Sequence, residues 1–234
     1  MQPLRIDVWS DIACPWCYVG KRRLEAALAQ FPHPVELVWR SFELDPRAPK
    51  VLDAAVSTAA RLARKYGTSV PEAEAMLDRM TATAAADGLE LRFARLRSGN
   101  TLDAHRLLHL ARAEGKQDAL KERLFRAYFS EGAALNEPGV LARLAGEVGL
   151  DPARVEQVLA SDELTAEVRA DEAEAQAIGV RGVPFFVLAG SHAVSGAHPA
   201  ASLRAALQAA WVARGGRDEN EVDEAGACGP GGCA

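Results

Sequence analysis

The sequence predicts an α/β fold in which a large all-helical segment interrupts a small sheet. Segments with the alternating apolar pattern of β-strands lie near the two ends of the chain, at residues 4–10 and 34–44 and again at 183–189 and 192–196. Between residues 54 and 165 the chain is rich in Ala, Leu, Arg and Glu and has almost no strand signal. We therefore expect the two ends to form one sheet and the middle to form helices.

A β-α-β unit opens the chain. Strand 4–10 is followed by segment 18–31, whose apolar residues recur at helical spacing, and then by strand 34–44. A β-β-α unit closes it, because Gly190-Ser191 is a plausible two-residue hairpin turn between the late strands and a helical pattern follows over 198–214. Without the helices between them, these two units make up the plan of a thioredoxin fold.

The helical segment carries recognisable helix boundaries. Ser69 is a candidate N-cap with Glu72 at capping-box spacing, and Gly149 and Asp151 separate two further helices. No Pro/Gly/Ser-rich linker flanks the segment, which favours an insertion over an independent helical domain. The predicted division lists a thioredoxin-like domain at 1–53 and 166–214, a helical insertion at 54–165 and a flexible tail at 215–234.

Composition excludes several classes of function. The 234 residues are 49% hydrophobic, enough for a full core, and the net charge of −5 does not favour nucleic acid as a partner. No apolar run approaches the length of a membrane span, and the first residues lack the pattern of a secretory signal. We therefore expect a cytoplasmic protein with no nucleic-acid or membrane partner, either monomer or homodimer.

Cys14 and Cys17 are placed where a reactive thiol is expected. They stand in "ACPWCYVG" at the junction between the first strand and the first helix, with Pro15 suited to the first helical turn and Trp16 between them. The N-terminus of a helix lowers a thiol pKa, and only the thiolate is a good nucleophile. The residues thus predict that Cys14 attacks and Cys17 resolves the mixed disulfide.

Pro184 strengthens this interpretation. It follows Val183 and opens a late strand, the place where thioredoxin-like proteins carry a cis-proline that faces the cysteine pair. The backbone of the preceding residue, here Val183, can pair with an extended substrate peptide. A strand-initiating trans proline is the alternative for Pro184 taken by itself.

Five segments together resemble the DsbA-like oxidoreductases of the FrnE type, a group that is also similar to 2-hydroxychromene-2-carboxylate isomerases and kappa-class glutathione transferases. The segments are "SDIACPWCYVGKRRLEAAL", "FELDP", "NTLDAHRLLHLA", "GVRGVPFFV" and "VSGAHP", and the resemblance spans roughly residues 4–213. It implies a thioredoxin fold with a helical insertion, thiol–disulfide exchange at Cys14 and Cys17, and a cis bond at Pro184. It also implies that Asn100 and His105 belong to an insertion helix that faces the active site.

The chain departs from the resemblance in two respects, a missing buried acid and an expected location in the cytoplasm, whereas DsbA works in an oxidising periplasm. Thioredoxin and DsbA carry a buried acid six residues before the first cysteine, and this chain has Val8 there. Asp7 and Asp11 flank that position, but the sequence does not indicate that either of them assists proton transfer. The proton acceptor for Cys17 is therefore left unassigned.

A second cysteine pair lies in the tail. Cys228 and Cys233 stand in "ACGPGGCA", whose glycines and proline favour a turn that could bring the two sulfurs within disulfide range. The Gly-rich, acidic tail is long enough to reach Cys14, so we expect an auxiliary redox pair. Two alternatives stay open: a zinc site made of all four thiols, and a disordered tail with incidental thiols.

Other polar residues give weaker indications. His105 and His109 have a spacing that can bind a metal, but no third ligand is evident, so no metal site is predicted. Glu43 and Asp45 in "FELDP" are expected either to approach the active site or to form a solvated turn.

The predicted function is a protein thiol–disulfide oxidoreductase or isomerase that acts on thiol- or disulfide-containing proteins or peptides. No cofactor is expected beyond the redox-active disulfide, with glutathione a possible co-substrate and a thioredoxin-type protein a possible reductant. Two alternatives remain, namely a glutathione-dependent isomerase or transferase on the same scaffold, and a zinc-bound or oxidation-sensing binding protein.

Overall fold

A four-stranded mixed sheet lies at the centre of the fold. The structure, a computed structural model, describes residues 2–50 and 56–215. The strands run in the spatial order β2-β1-β3-β4, with β1 parallel to β2 and antiparallel to β3, and β3 antiparallel to β4. Their bounds are β1 (Leu4–Ser10), β2 (Val35–Ser41), β3 (Phe185–Leu188) and β4 (His192–Ser195).

Helices cover both faces of this sheet. The helix bounds are α1 (Pro15–Leu28), α2 (Thr58–Tyr66), α3 (Val70–Ala86), α4 (Leu102–Ala113), α5 (Gln117–Arg126), α6 (Pro138–Glu147), α7 (Pro152–Leu159), α8 (Thr165–Ala177) and α9 (Ala200–Ala213). A 3₁₀ turn lies at Phe93–Arg95, and a π-helical turn at Ala127–Glu131 continues α5. In the described residues no helix is both long and apolar enough to cross a membrane.

The element order agrees with the predicted α/β fold. Only helices separate β2 from β3 in the described part of the chain, as expected for a helical insertion. The domain boundaries at 53/54 and 165/166 stay predictions, and the tail from residue 216 onward lies outside the described residues. The predicted strand 34–44 is shorter in the structure, since the chain leaves the sheet after Ser41.

Predicted helix boundaries are confirmed at two places. The Ser69 hydroxyl accepts a hydrogen bond from the Glu72 backbone N–H, and the Glu72 carboxylate accepts one from the Ser69 backbone N–H. Together these bonds form a complete capping box at the start of α3. Asp151 caps α7 by accepting from the Ala153 N–H at 3.0 Å. The predicted two-residue hairpin turn is wrong, since three residues, 189–191, connect Leu188 to its partner His192.

That turn centres on Ala189 and Gly190 and not on Gly190 and Ser191. Ala189 and Gly190 have φ values of +51° and +73°, and the Ser191 N–H donates to the Leu188 carbonyl at 3.2 Å. Left-handed values at both central positions match the right-handed twist of the flanking strands. An alanine at the first position is uncommon there, which is why the sequence pointed one residue further on.

Helix α1 lies between two buried clusters. Its outer face meets the helical layer through Cys17, Tyr18 and Val19, which pack with residues of α3 to α7. Its inner face meets the sheet through Leu24 and Ala27, which pack with β1, β3 and α9. The helix that carries the cysteine pair is therefore part of both cores, and the insertion shares its core with the site.

A buried carboxylate joins α8 to β2 and α4. Asp171 is 2% exposed and accepts from the Ser41 N–H at 2.8 Å, from Arg40 Nη1 at 2.8 Å and from His109 Nε2, which lies 3.1 Å away. The Asp171 carbonyl also accepts from Trp9 Nε1 at 2.8 Å. Burial raises the pKa of Asp171, but these hydrogen bonds outweigh it and hold that pKa below its ordinary value.

Candidate active site

The cysteine pair lies at the junction of β1 and α1. Cys14 is the N-cap of α1, with extended backbone angles (φ −95°, ψ 112°), and Pro15 occupies the first helical position. The Cys14 side chain makes no conventional capping hydrogen bond, but the N–H groups of Trp16 and Cys17 in the first turn act on its sulfur. Cys17 lies one turn later, and its N–H donates to the Cys14 carbonyl at 3.0 Å.

Both cysteines are free thiols with very different surroundings. Cys14 is 5% exposed and Cys17 is fully buried, whereas Trp16 between them is 45% exposed. In its protonated form, Cys14 Sγ donates to the Val183 carbonyl at 3.5 Å. The pair thus presents one sulfur at the edge of the surface and hides the other.

The two thiols have opposite pKa shifts. A hydrogen bond from the Cys17 thiol lowers the pKa of Cys14, and the backbone N–H groups of Cys17 and Trp16 lower it further, against burial and the charge of Asp11. Burial raises the pKa of Cys17 well above its ordinary value, and the neighbouring Cys14 raises it more. Of the two thiols, Cys14 is therefore the one that loses its proton more easily, and Cys17 the one that keeps it.

This asymmetry predicts how fast each thiol is alkylated. We expect iodoacetamide to modify Cys14 with a rate whose pH midpoint lies below that of an ordinary thiol, because the Cys14 thiolate accepts several hydrogen bonds. Cys17 should resist modification until a much higher pH. Peptide mapping after short alkylation pulses between pH 4 and 10 measures both, and preferential labelling of Cys17 would contradict the assigned order.

Pro184 faces the cysteine helix across a close contact. The Val183–Pro184 peptide bond is cis, and Pro184 is buried. Gly20 of α1 packs against it, so closely that a Cβ at Gly20 would lie 2.9 Å from Pro184 Cγ. A side chain at position 20 would therefore push α1 away from the proline segment.

Replacement of Gly20 by alanine is expected to lower the free energy of unfolding. The added methyl group overlaps Pro184 and also approaches Phe186, and overpacking of this kind costs about 1–3 kcal/mol. Urea unfolding followed by circular dichroism measures the loss. Gly146→Ala is the matched control, because a Cβ added at that helical glycine would meet no atom within 4 Å. If Gly20→Ala were as stable as Gly146→Ala, or more stable, the close contact with Pro184 would be contradicted.

The acids near the site lie on different sides of β1. Val8, at the position of the acid in thioredoxin, is fully buried. Asp7 pairs with Arg5 and Arg40 at 2.8 Å each, away from the cysteines. Asp11 follows β1 and is 2% exposed, so it is the carboxylate that the fold places beside the pair.

Asp11 is held by several donors. Its carboxylate accepts from the Ala13 N–H at 3.1 Å and from the Leu44 N–H at 2.8 Å. His105 Nε2 lies 3.5 Å from Asp11 Oδ1, and both side chains are nearly fully buried. Burial raises the pKa of Asp11, but these neighbours lower it below its ordinary value, so the group is ionised at neutral pH.

Of the two residues expected on an insertion helix, His105 lies in α4, whereas Asn100 precedes α4 and is only partly buried. Asn100 Oδ1 accepts from the Leu102 N–H at 2.8 Å, so Asn100 holds the start of the helix from outside it.

Asn100 Nδ2 donates to Glu43 Oε1 at 3.1 Å, and Glu43 also pairs with Arg169. Burial raises the pKa of Glu43. Asp45, by contrast, is exposed and takes part in a local turn, so of the "FELDP" acids only Glu43 points inward.

The predicted histidine pair does not converge on one point. His105 approaches Asp11, whereas His109 contacts Asp171 and the Ser41 hydroxyl. Within 2–50 and 56–215, no three His, Cys, Asp or Glu side chains are grouped to hold a metal ion. Cys228 and Cys233 lie outside the described residues, so the proposed auxiliary pair and the four-thiol zinc alternative are not tested by the structure.

Sequence reasoning missed Lys121. This residue of α5 is fully buried, and its Nζ lies 5.5 Å from the centroid of the Trp39 ring and 5.1 Å from that of Phe125. Its charge acts on Cys17. The signal was present in "LKERLF", where Lys121 falls on the same helix face as Leu124 and Phe125 and should be buried with them.

Comparisons with known proteins relate most of the chain to one family. The model of the DSBA-like thioredoxin domain matches residues 5–208. A crystal structure of a probable DsbA oxidoreductase from Streptomyces coelicolor is 46% identical, with a TM-score of 0.85 over 99% of this chain and 98% of that one.

Two further proteins are similar over less of the chain. An uncharacterised protein, YwbO of Bacillus subtilis, is 31% identical over 158 residues, which cover 67% of this chain and 72% of that protein. A 2-hydroxychromene-2-carboxylate isomerase shares the fold at 19% identity, with a TM-score of 0.61 over 82% of this chain and 88% of that one. The match to the family model over most of its length shows that the chain belongs to the DSBA-like thioredoxin domain family.

Proposed function

We propose that the protein is a thiol–disulfide oxidoreductase in which Cys14 is the nucleophile and Cys17 the resolving thiol. The observation that carries the proposal is the opposite pKa shift of the two thiols at one helix N-terminus, with the Val183 carbonyl 3.5 Å from Cys14 Sγ. Membership of the DSBA-like family and the similarity to a probable DsbA oxidoreductase support it.

The reaction proceeds in two exchanges. The Cys14 thiolate attacks one sulfur of a substrate disulfide, so that a Cys14–substrate disulfide forms and the other substrate sulfur leaves as a thiolate. Cys17 then loses its proton and attacks Cys14 Sγ. The Cys14–Cys17 disulfide forms, the second substrate sulfur leaves with the electron pair, and the substrate is reduced by two electrons. Run backwards, the same steps oxidise a substrate dithiol.

The surface around Cys14 suits a protein or peptide substrate. Trp16 is 45% exposed and Leu44, whose N–H binds Asp11, is 39% exposed. An exposed tryptophan beside a reactive thiol offers apolar contact area to an unfolded or extended chain. Val183 and Pro184 form the opposite wall and are proposed to align that chain.

Several finer expectations remain part of this proposal. Cys228 and Cys233 are proposed as an auxiliary pair that exchanges with Cys14 and Cys17. Glutathione or a thioredoxin-type protein is proposed as the source of electrons, and the cytoplasm as the location. Whether the protein acts mainly as oxidant, reductant or isomerase depends on the redox poise of its surroundings.

Turnover with a disulfide substrate tests the proposal. The full chain should accelerate the reduction of insulin by dithiothreitol, and both Cys14→Ser and Cys17→Ser should lose that activity. An isomerase or transferase that uses glutathione predicts a different result. Its turnover would require glutathione and would survive Cys17→Ser, and that outcome would replace the present proposal.

A further inference from the structure

Lys121 is a buried cation without a conventional partner in the described part of the chain. The side chain is fully buried, and no carboxylate of the described residues lies within 4.0 Å of its Nζ. Its contacts are the rings of Trp39 and Phe125 and, at 3.5 Å, the Ser10 carbonyl. Burial of an ammonium group costs free energy, so the position of Lys121 indicates a function that offsets this cost.

The position of Lys121 is built into the fold. One turn earlier on α5, Gln117 accepts from the Trp39 N–H at 3.0 Å and donates to the Trp39 carbonyl at 2.8 Å. These two bonds fix α5 against the edge strand β2 and direct Lys121 under the end of β1. A flexible surface lysine would not be anchored in this manner.

The Ser10–Asp11 peptide unit connects Lys121 to the cysteines. Its carbonyl faces Lys121 Nζ, whereas its N–H faces the Cys17 sulfur. The ionisable groups that act on Lys121 are Cys17, Asp11, Cys14 and Lys21. Three of these four carry or can gain a negative charge, and Lys21 is already paired with its own carboxylates.

Lys121 can exchange a proton near neutral pH. Burial lowers the pKa of Lys121 to about 8, although Cys17, Asp11 and Cys14 act to raise it. A fraction of the amine is therefore neutral at pH 7, unlike that of an exposed lysine. Cys17, whose pKa is raised, needs a base before it can attack.

Resting on the proposed thiol–disulfide exchange, we propose that Lys121 is the proton acceptor for Cys17 in the resolving step. The neutral Lys121 amine takes the Cys17 proton and becomes an ammonium group. The Cys17 thiolate attacks Cys14 Sγ, the Cys14–substrate disulfide breaks, and the substrate sulfur leaves with the electron pair. That leaving thiolate then takes up a proton, from Lys121 or from solvent, so the proton count is restored.

The resolving step can be observed directly with Ellman's reagent. In a Cys228→Ser, Cys233→Ser background, attack by Cys14 releases a first equivalent of thionitrobenzoate. Attack by Cys17 on the resulting mixed disulfide then releases a second. Stopped-flow absorbance between pH 6 and 10 gives the rate of each phase separately.

Lys121→Met keeps the length and the apolar contacts of the side chain and removes the base. We expect the second phase at pH 7 to slow by about 10²-fold, the usual scale of general base catalysis. The difference between the second-phase rates of Lys121→Met and of the parent protein should become smaller as the pH rises, because hydroxide then deprotonates Cys17 directly. The first phase should change much less.

Two controls separate proton transfer from charge and from packing. Lys121→Arg places a permanent cation at the same position, and it should not restore the rate if the residue must take a proton. Lys21→Met removes the other buried lysine of the described residues, which is paired with Glu25, Asp118 and Glu122. Because the charge of Lys21 lowers the pKa of Lys121, this variant should move the pH profile of the second phase to higher pH without the loss of about 10²-fold expected for Lys121→Met. Circular dichroism and thermal unfolding establish that each variant is folded.

The outcomes are distinct. A second phase in Lys121→Met within about 2-fold of the parent across the pH range would overturn the assignment while the proposed function stood. Full rescue by Lys121→Arg would also overturn it, because only charge would then matter. Absence of both phases in the parent protein would instead refute the proposed function.

Discussion

Replacement of Cys17 by serine is expected to trap the protein in a covalent complex with its substrate. In this variant the backbone N–H groups still lower the pKa of Cys14, so Cys14 still attacks a disulfide. No second thiol is then present to release the product. Cys14→Ser should instead abolish exchange, with a loss on the order of 10³-fold or more, because serine is a much weaker nucleophile at neutral pH.

Non-reducing electrophoresis after acid quenching measures this difference. Cys17→Ser incubated with a disulfide-bonded protein should give a band at the summed mass that disappears on reduction. Cys14→Ser should give none, and the double variant serves as the control. A complex formed through Cys17 in the Cys14→Ser protein would reverse the assigned roles.

The second large effect concerns stability and not chemistry. Asp171→Ala should reduce the free energy of unfolding by about 3 kcal/mol, because it leaves the buried Ser41 N–H without its acceptor. It also removes one of the two carboxylates that pair with Arg40 at 2.8 Å, the other being Asp7. Glu174→Ala is the matched control. Glu174 lies 3.7 Å from the same Arg40 but its side chain is 48% exposed, so its loss should cost less than about 1 kcal/mol.

The same carboxylate predicts an acid-sensitive part of the stability. Because the pKa of Asp171 is held below its ordinary value in the fold, its contribution is complete above about pH 4 and is lost as the pH falls through the lowered value. Urea titrations between pH 2 and 7 should show a shallower acid loss in Asp171→Ala than in the parent. Parallel curves for the two proteins would contradict this account.

Local patterns were sufficient to predict most of the fold. Alternating apolar residues gave β1, and the spacing of Ser69 and Glu72 gave the start of α3, because caps and strand faces depend on neighbours in sequence. The hairpin turn was misplaced because Ala189 adopts a left-handed conformation that the residue type does not suggest.

The site residues also differ in whether their positions depend on neighbours in the sequence or on long-range packing. The cysteine pair and Pro184 stand in recognisable motifs, so their positions could be predicted. The burial of Lys121 could be predicted from its helix face, but its position beside the cysteine pair could not, because its neighbours on β1 and β2 lie about 80 to 110 residues away along the chain. The pairing of His105 with Asp11 likewise depends on how the insertion packs over the first strand.

The measurement that tests the central claim most directly is a redox titration of the full chain in glutathione buffers, with alkylation and peptide mapping of all four cysteines. The account predicts a reversible Cys14–Cys17 disulfide with a single two-electron midpoint, formed whether or not the tail cysteines take part. If Cys14 and Cys17 stay unlinked at every glutathione ratio, or become accessible only after a chelator is added, the pair is not a redox centre and the proposed function is wrong.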